Sequence, residues 1–346
     1  MNNKKVSQVD DDYAIALHNE STVIDFHCDT LKEAVNWPRI RGQLTTRRDL
    51  GVRSNEGHID LPRLMEGGVT CQVFAVFTAR EPRPQDAAMW LTDAFYLALE
   101  KSPDKLLHAT KSGDIEKAKK EGKVAGFLSI EGGEPLLGSL PALRMFHRLG
   151  VRAMGLTWTT RNELGNGCGE SRPTGGLTNF GLSVVKEMER LNMIIDVSHL
   201  NDQAFWDIVE YHKGPFIASH SNCRALCNSP RNLTDEMIEV VGERGGVMGA
   251  NFLPYFILPR EELAAGKKAT VGSLVDHIDR MAELVGTDHI GLGSDFDGIT
   301  STPVGLEDAS KMHNVTLELC RREYSDDDVK KILGGNFLRV IKKVVG

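Results

Sequence analysis

Eight short apolar runs recur along the chain, and most of them finish on a side chain able to bind a metal or move a proton. The first, Thr22-Val-Ile-Asp-Phe, runs into His27-Cys28-Asp29. The second is Thr70-Cys-Gln-Val-Phe-Ala-Val-Phe, and the third, Val124-Ala-Gly-Phe-Leu-Ser-Ile, ends on Glu131. The fourth, Val151-Arg-Ala-Met-Gly-Leu-Thr, ends on Trp158; the fifth and sixth, beginning at Met193 and Pro215, end on His199 and His220. The seventh spans Gly246 to Phe252, and the eighth, from His289, leads into Asp295-Phe-Asp297-Gly298. Runs this short and this continuously apolar fit parallel strands covered on both faces. Chemistry collected at strand end after strand end describes the mouth of a (β/α)8 barrel.

Helical patterns separate the runs: Gln85 to Glu100, Leu140 to Leu149, Thr178 to Leu191, Asp202 to Tyr211, Thr234 to Glu243, Ser273 to Val285 and Ser325 to Val345. Alternating strand and helix favours a parallel α/β arrangement, and eight strands suit a closed TIM barrel. No glycine-rich phosphate fingerprint follows the first run, which disfavours an open nucleotide-binding sheet. With no repeat or linker to divide it, the expectation is one catalytic domain over residues 1–346, with 1–20 as an extension packed on the barrel. The loops Arg161–Gly176 and Pro254–Lys268 are candidates for shaping a pocket.

A net charge of −7 offers no basic face to nucleic acid or an anionic membrane. The N-terminus lacks a signal-peptide core, no apolar stretch is long enough to span a bilayer, and the C-terminus lacks a lipid-anchor tail. The six cysteines have no framework spacing and read as reduced thiols. The expectation is a soluble cytoplasmic enzyme. The oligomeric state is not fixed, a homodimer being among the options.

Three imidazoles and two carboxylates, His27, Asp29, Glu131, His199 and His220, form a donor set suited to Zn²⁺. Five ligands are too many for one catalytic ion with an open position. They suit two ions if Glu131 bridges, with His27 and Asp29 on one and His199 and His220 on the other. Two divalent ions carry more positive charge than these carboxylates and a hydroxide return. The surplus stabilises an oxyanion and lowers the pKa of bound water from about 15.7 towards 7. Asp295 is the candidate proton carrier, with Asp297 as a supporting turn residue, although spacing alone leaves the choice between them open.

Taken singly, the other histidines read as core or surface residues, and His289, at the start of its run, belongs to the stability face. Glu131 could instead cap the Glu-Gly-Gly turn. Asp25, one layer below His27, either orients an imidazole or satisfies buried backbone groups. Cys223 and Cys227 read as small core filler. For His27, His199 and His220 the metal reading prevails, because three separate strands end alike.

At this point the residues fit a known pattern. Ile24-Asp-Phe-His-Cys-Asp-Thr30, Ser129-Ile-Glu-Gly-Gly133, Ile195-Asp-Val-Ser-His199, Ala218-Ser-His-Ser221, Ser229-Pro-Arg-Asn232 and Gly291-Leu-Gly-Ser-Asp-Phe-Asp-Gly298 follow one another in order across nearly the whole chain. Together they resemble the renal (membrane) dipeptidase family, binuclear zinc peptidases of the amidohydrolase-like barrels. The resemblance implies two Zn²⁺ per chain, one held by His27, Asp29 and Glu131 and the other by Glu131, His199 and His220. It implies that Asp295 shuttles the proton and that Arg231 grips the free carboxylate of a dipeptide, as a guanidinium can do in bidentate fashion. It further implies hydrolysis of dipeptides, L-Xaa-D-Xaa included, by a metal-bridging hydroxide.

One position departs from the pattern. Where the family carries a histidine after Leu-Thr, this chain has Trp158, whose indole donates one hydrogen bond but carries no charge. Trp158 is therefore expected to line the substrate pocket, with Arg161 or Asn162 assisting the oxyanion. Lactonases and phosphotriesterases on the same barrel are the nearest alternative. They use His-x-His on the first strand and a modified lysine on the fourth; this chain has His-x-Asp and no lysine between Val151 and Thr160. A catalytically silent metal-binding module is the alternative of a different class, against which the intact Asp295 counts.

Overall fold

The computed structural model describes residues 10–35, 48–170, 172 and 175–346. Among them run nine strands: β1 Val23–Cys28, β2 Val69–Phe77, β3 Leu106–Ala109, β4 Val124–Glu131, β5 Val151–Gly155, β6 Ile194–Asp196, β7 Ile217–Ala218, β8 Val247–Ala250 and β9 Ile290–Leu292. Every pairing between them is parallel. Pairing of β2 with β4 and of β1 with β9 closes β1-β2-β4-β5-β6-β7-β8-β9 into a ring of eight, the barrel anticipated from the sequence.

The remaining strand, β3, lies outside this ring. It pairs with Val124–Phe127 of β4, while β5 pairs with Leu128–Glu131 of the same strand. Four residues with two of them half-exposed carry too weak an apolar signal to be read as a strand beforehand.

Inside the ring, Ile24, Phe26, Val73, Phe127, Ile194, Ile217 and Val247 pack together. Phe337, Val340 and Ile341 of the C-terminal helix join them, and Phe337 stacks on Phe26 with ring centroids 4.1 Å apart. Deleting one such buried aromatic costs about 3–5 kcal/mol. The alternation of β1 is not regular: Asp25 pairs with Gln72 and Cys28 with Phe74, so three residues on one strand match two on the other. This bulge lets Phe26 enter the core and His27 still reach the mouth, which correct alternation would forbid.

Helices cover the outside close to the expected bounds, from Pro84–Lys101 through Asp202–Tyr211 to Val271–Val285. The expected single helix from Ser325 to Val345 is instead broken into Asp326–Lys330, a wide turn over Lys331–Gly335, and Asn336–Val344. Gly334 sits there against the start of β1, where a Cβ would fall 2.2 Å from the Thr22 carbonyl oxygen. Close approach to the barrel floor sets the break, not helix propensity.

Ahead of β1, the helix Asp11–Glu20 packs on His313–Arg321, where His18 Nδ1 lies 2.7 Å from Thr316 Oγ1. Among the described residues no helix is long and apolar enough to cross a membrane.

Candidate metal centre

Four strand ends, those of β1, β4, β6 and β7, deliver the five proposed ligands to one point. Glu131, the last residue of β4, stands at its centre. Its Oε2 faces His27 Nε2 at 3.4 Å, and its Oε1 faces His199 Nε2 at 2.8 Å and His220 Nε2 at 3.8 Å. One carboxylate oxygen thus addresses each side of the cluster, the arrangement a bridging ligand needs. His27 and His220 stack with ring centroids 3.8 Å apart. Donor atoms of His27, Glu131 and His220 lie within 4.8 Å of one another, as do those of His27, Asp29 and Asp295.

The donors fit a bound cation. His27 Nε2, Asp29 Oδ1 and Glu131 Oε2 are buried and have no hydrogen-bond partner in the protein, a costly condition unless another group meets them. His220 is set up for coordination by its neighbours. Ser219 Oγ donates to Asp196 Oδ2 at 2.5 Å and so accepts from His220 Nδ1 at 2.7 Å. The proton is thereby held on Nδ1 and the Nε2 lone pair points into the cluster, the outer-shell arrangement typical of ligating histidines. Asp196 is itself fixed by the Ser198 and Ser219 amides. Reading residues singly missed this relay, although Asp196 stands within the quoted Asp-Val-Ser-His segment.

Electrostatics follow from the crowding. Burial pulls the His27 imidazole down, but Glu131, Asp29 and Asp295 outweigh it and hold its pKa up at about 10. Burial raises the Glu131 carboxyl, yet His27 and His199 overcome this and keep it well below its ordinary range. Asp29 goes the other way, to about 7, through burial and the neighbouring Glu131 charge. Burial and the Arg231 charge lower His199 to about 4, and burial holds His220 well below its ordinary range. Opposed shifts among touching groups mark a site built to exchange protons for a cation.

Backbone strain coincides with the site. His199, Asp295 and Asp297 all have φ near +63 to +71°, a left-handed conformation that costs such residues about 1–3 kcal/mol. The His199 turn is held by the Cys168 amide, which donates to the His199 carbonyl at 2.8 Å. Gly298 permits the Asp29 and Asp295 carboxylates to close in, since a Cβ there would fall 2.1 Å and 2.3 Å from their oxygens.

A cavity of about 350 Å³ opens above the cluster, walled by Asp29, Glu131, His199 and Asp295 on its floor and by Phe77, Trp158, Arg231 and Phe256 on its sides. Asp295 receives a hydrogen bond on Oδ2 from Asn251 Nδ2 at 3.0 Å, and burial raises its pKa. Asp297 turns away from the cavity to accept from Thr30 Oγ1 and the His58 amide. That resolves the pair: Asp295 faces the site and Asp297 braces the turn. Arg231 is buried, donates to the His220 carbonyl and lies over Phe256, and its Nε has no partner in the protein. Trp158 forms part of the wall, between Phe77 and His199.

Other expectations are corrected. Asn162 does not line the cavity: its Nδ2 donates to the Leu156 carbonyl, and its Oδ1 accepts from the Leu164 and Gly165 amides. With its whole side chain spent on its own loop, it has no group left for an oxyanion. Arg161 is exposed and outside the cavity wall as well. Asp25 does not touch an imidazole nitrogen; it accepts from the amide and hydroxyl of Ser294, the second of the two roles considered for it. Cys223 and Cys227 are buried free thiols that donate to the backbone carbonyls of His277 and Leu258, as core filler should. Both long loops do reach the cavity, Cys168 and Gly169 from one, Phe256 and Arg260 from the other.

Comparison with known proteins places this architecture. The family model for membrane dipeptidase (peptidase family M19) matches residues 12–345. The dipeptidase tcpJ of Claviceps purpurea is 34% identical over 300 residues, covering 83% of this chain and 69% of that protein. Among solved structures, the dipeptidase AC, a metallopeptidase of family M19, superposes with a TM-score of 0.84 at 26% identity, over 94% of this chain and 99% of its own. A metallopeptidase of Rhodobacter sphaeroides, solved with a phosphinate mimic of L-Ala-D-Ala, gives the same TM-score, identity and coverage. The chain belongs to the membrane dipeptidase family, M19, and is a metallopeptidase-type hydrolase.

Proposed function

We propose that this enzyme is a zinc-dependent dipeptidase with two ions per chain, acting on dipeptides that include L-Xaa-D-Xaa. The observation that carries the binuclear reading is the division of Glu131, with Oε2 directed at His27 and Oε1 at His199 and His220. His27, Asp29 and Glu131 would hold one ion, and Glu131, His199 and His220 the other. Divalent zinc supplies a water acidified towards neutrality and a Lewis acid for the scissile carbonyl.

The chain's own residues do the rest. Arg231, with an unpartnered Nε and a position over Phe256, binds the free C-terminal carboxylate and so limits the substrate to two residues. Asp295 takes the proton of the attacking water and passes it to the departing amine, its orientation kept by Asn251. Trp158 and Phe77 form an apolar wall beside His199. Tolerance of a D-residue is supported by the L-Ala-D-Ala mimic bound by the Rhodobacter relative.

The test is metal quantification on the purified protein, paired with a panel of dipeptides assayed before and after chelation. Two zinc equivalents per chain, with hydrolysis lost on chelation and restored by zinc, are expected. One equivalent at full activity would end the binuclear reading, and chelator-resistant hydrolysis would end the metal mechanism.

A further inference from the structure

Trp158, where the chain departs from the family pattern, carries a cation. The Arg80 guanidinium lies over its indole, 4.4 Å from the ring centroid. Arg80 is exposed, lines the cavity, and forms no ion pair among the described residues. Beside it, Lys32 lies over Phe77 at 5.8 Å while its ammonium pairs with Asp29 Oδ2 at 3.7 Å, and Phe77 meets Trp158 edge-on at 5.4 Å. Two aromatic rings therefore hold two cations on one wall of the pocket. An indole face fixes a guanidinium by cation–π attraction while leaving its N–H edge free to bind a carboxylate.

The barrel's strand order sets where this wall stands. Lys32 follows β1, Phe77 ends β2 with Arg80 just after it, and Trp158 follows β5, so the group flanks β4 and Glu131. Arg231 and Phe256 follow β7 and β8, and β8 lies four places from β4 in the ring of eight, on the opposite side. A dipeptide whose terminal carboxylate is held at Arg231 must cross the cluster, and its N-terminal residue then meets Arg80. Asp29, Glu131 and Asp295 are the only carboxylates among the described residues of the wall, and all three belong to the cluster. With cations bound there, their charge is neutralised, and no other carboxylate among the described residues of the wall faces the pocket.

We infer that Arg80, braced on Trp158, forms a subsite for an acidic side chain on the N-terminal residue of the substrate. The inference rests on the dipeptidase reading and adds to it a preferred substrate class, Glu-Xaa and Asp-Xaa dipeptides. It makes Arg80 a specificity residue that acts in binding.

The test uses the zinc-loaded full chain with L-Glu-L-Ala, L-Gln-L-Ala, L-Lys-L-Ala and L-Ala-L-Ala. A charge-assisted contact predicts that kcat/KM for the Glu substrate exceeds that for its Gln isostere by about 10- to 100-fold, mostly through KM. Arg80→Ala should bring the ratio near one, and Arg80→Glu should invert it in favour of the Lys substrate. Added salt should shrink the wild-type ratio, because Arg80 is exposed. Equal handling of Glu and Gln by the wild type, with L-Ala-L-Ala hydrolysed, overturns the subsite and leaves the dipeptidase reading standing. An unchanged ratio in both Arg80 variants overturns it as well. Failure to hydrolyse any of the four overturns the dipeptidase reading itself.

Discussion

The Nε2 atoms of His199 and His220 converge to 2.9 Å. The Ser219–Asp196 relay keeps the His220 proton on Nδ1, so the lone pair of His220 Nε2 faces the His199 ring across a gap that Glu131 Oε1 also borders. Two nitrogens and a carboxylate oxygen brought this close, all buried, are most stable around a cation.

Asp196 controls that geometry without reaching the cluster. Asp196→Asn replaces an acceptor with an amide and lets the Ser219 hydroxyl turn, freeing His220 to adopt the other tautomer. Metal affinity should fall about 10- to 100-fold, with the fold intact by circular dichroism. Competition with a chromophoric chelator measures this; unaltered affinity would reduce Asp196 to a backbone brace.

Asp295 should separate binding from turnover. Asp295→Asn keeps its size and its contact with Asn251 but cannot carry a proton. The variant should retain its full metal content while kcat falls by about 10²- to 10⁴-fold. Retained turnover would remove Asp295 from the proton path.

Arg231 should matter according to what the substrate ends in. Arg231→Ala is expected to cut kcat/KM for free dipeptides by about 100-fold, as loss of a charge-assisted, buried contact does. C-terminally amidated dipeptides should lose far less. Equal losses on both would argue for a packing role beneath His220.

Away from the site, His18 should make the protein acid-sensitive. Burial lowers its pKa below the ordinary 6.5, and its neutral ring bridges Thr316 and the Gly67 carbonyl. The unfolded chain takes up a proton below about pH 6.5 that the folded chain resists, so stability is held above that pH and lost as pH falls through the window beneath it. His18→Gln should be less stable at neutral pH and should show a smaller drop in Tm between pH 7 and pH 5. Parallel Tm curves for the two proteins would contradict this.

Several parts of the molecule were legible without coordinates. The eight ring strands were readable because parallel strands buried on both faces must be short and apolar. His27, Glu131, His199 and His220 stood out because each ends such a run. Strict alternation was the wrong guide at Asp25, since a one-residue bulge, invisible to periodicity, turns that carboxylate towards Ser294. Asn162 looked like a free polar group because a sequence does not say which amides its own loop will consume.

The chain's order of residues determined the barrel and the identity of its metal-type donors, for both follow from local patterns of polarity repeated strand by strand. Only the tertiary structure decided which oxygen of Glu131 faces which imidazole, that Asp295 and not Asp297 turns inward, and that Arg80 settles on Trp158. Those are contacts between residues far apart in sequence, fixed by ring closure and by strained turns at His199 and Asp295, and no local pattern encodes them.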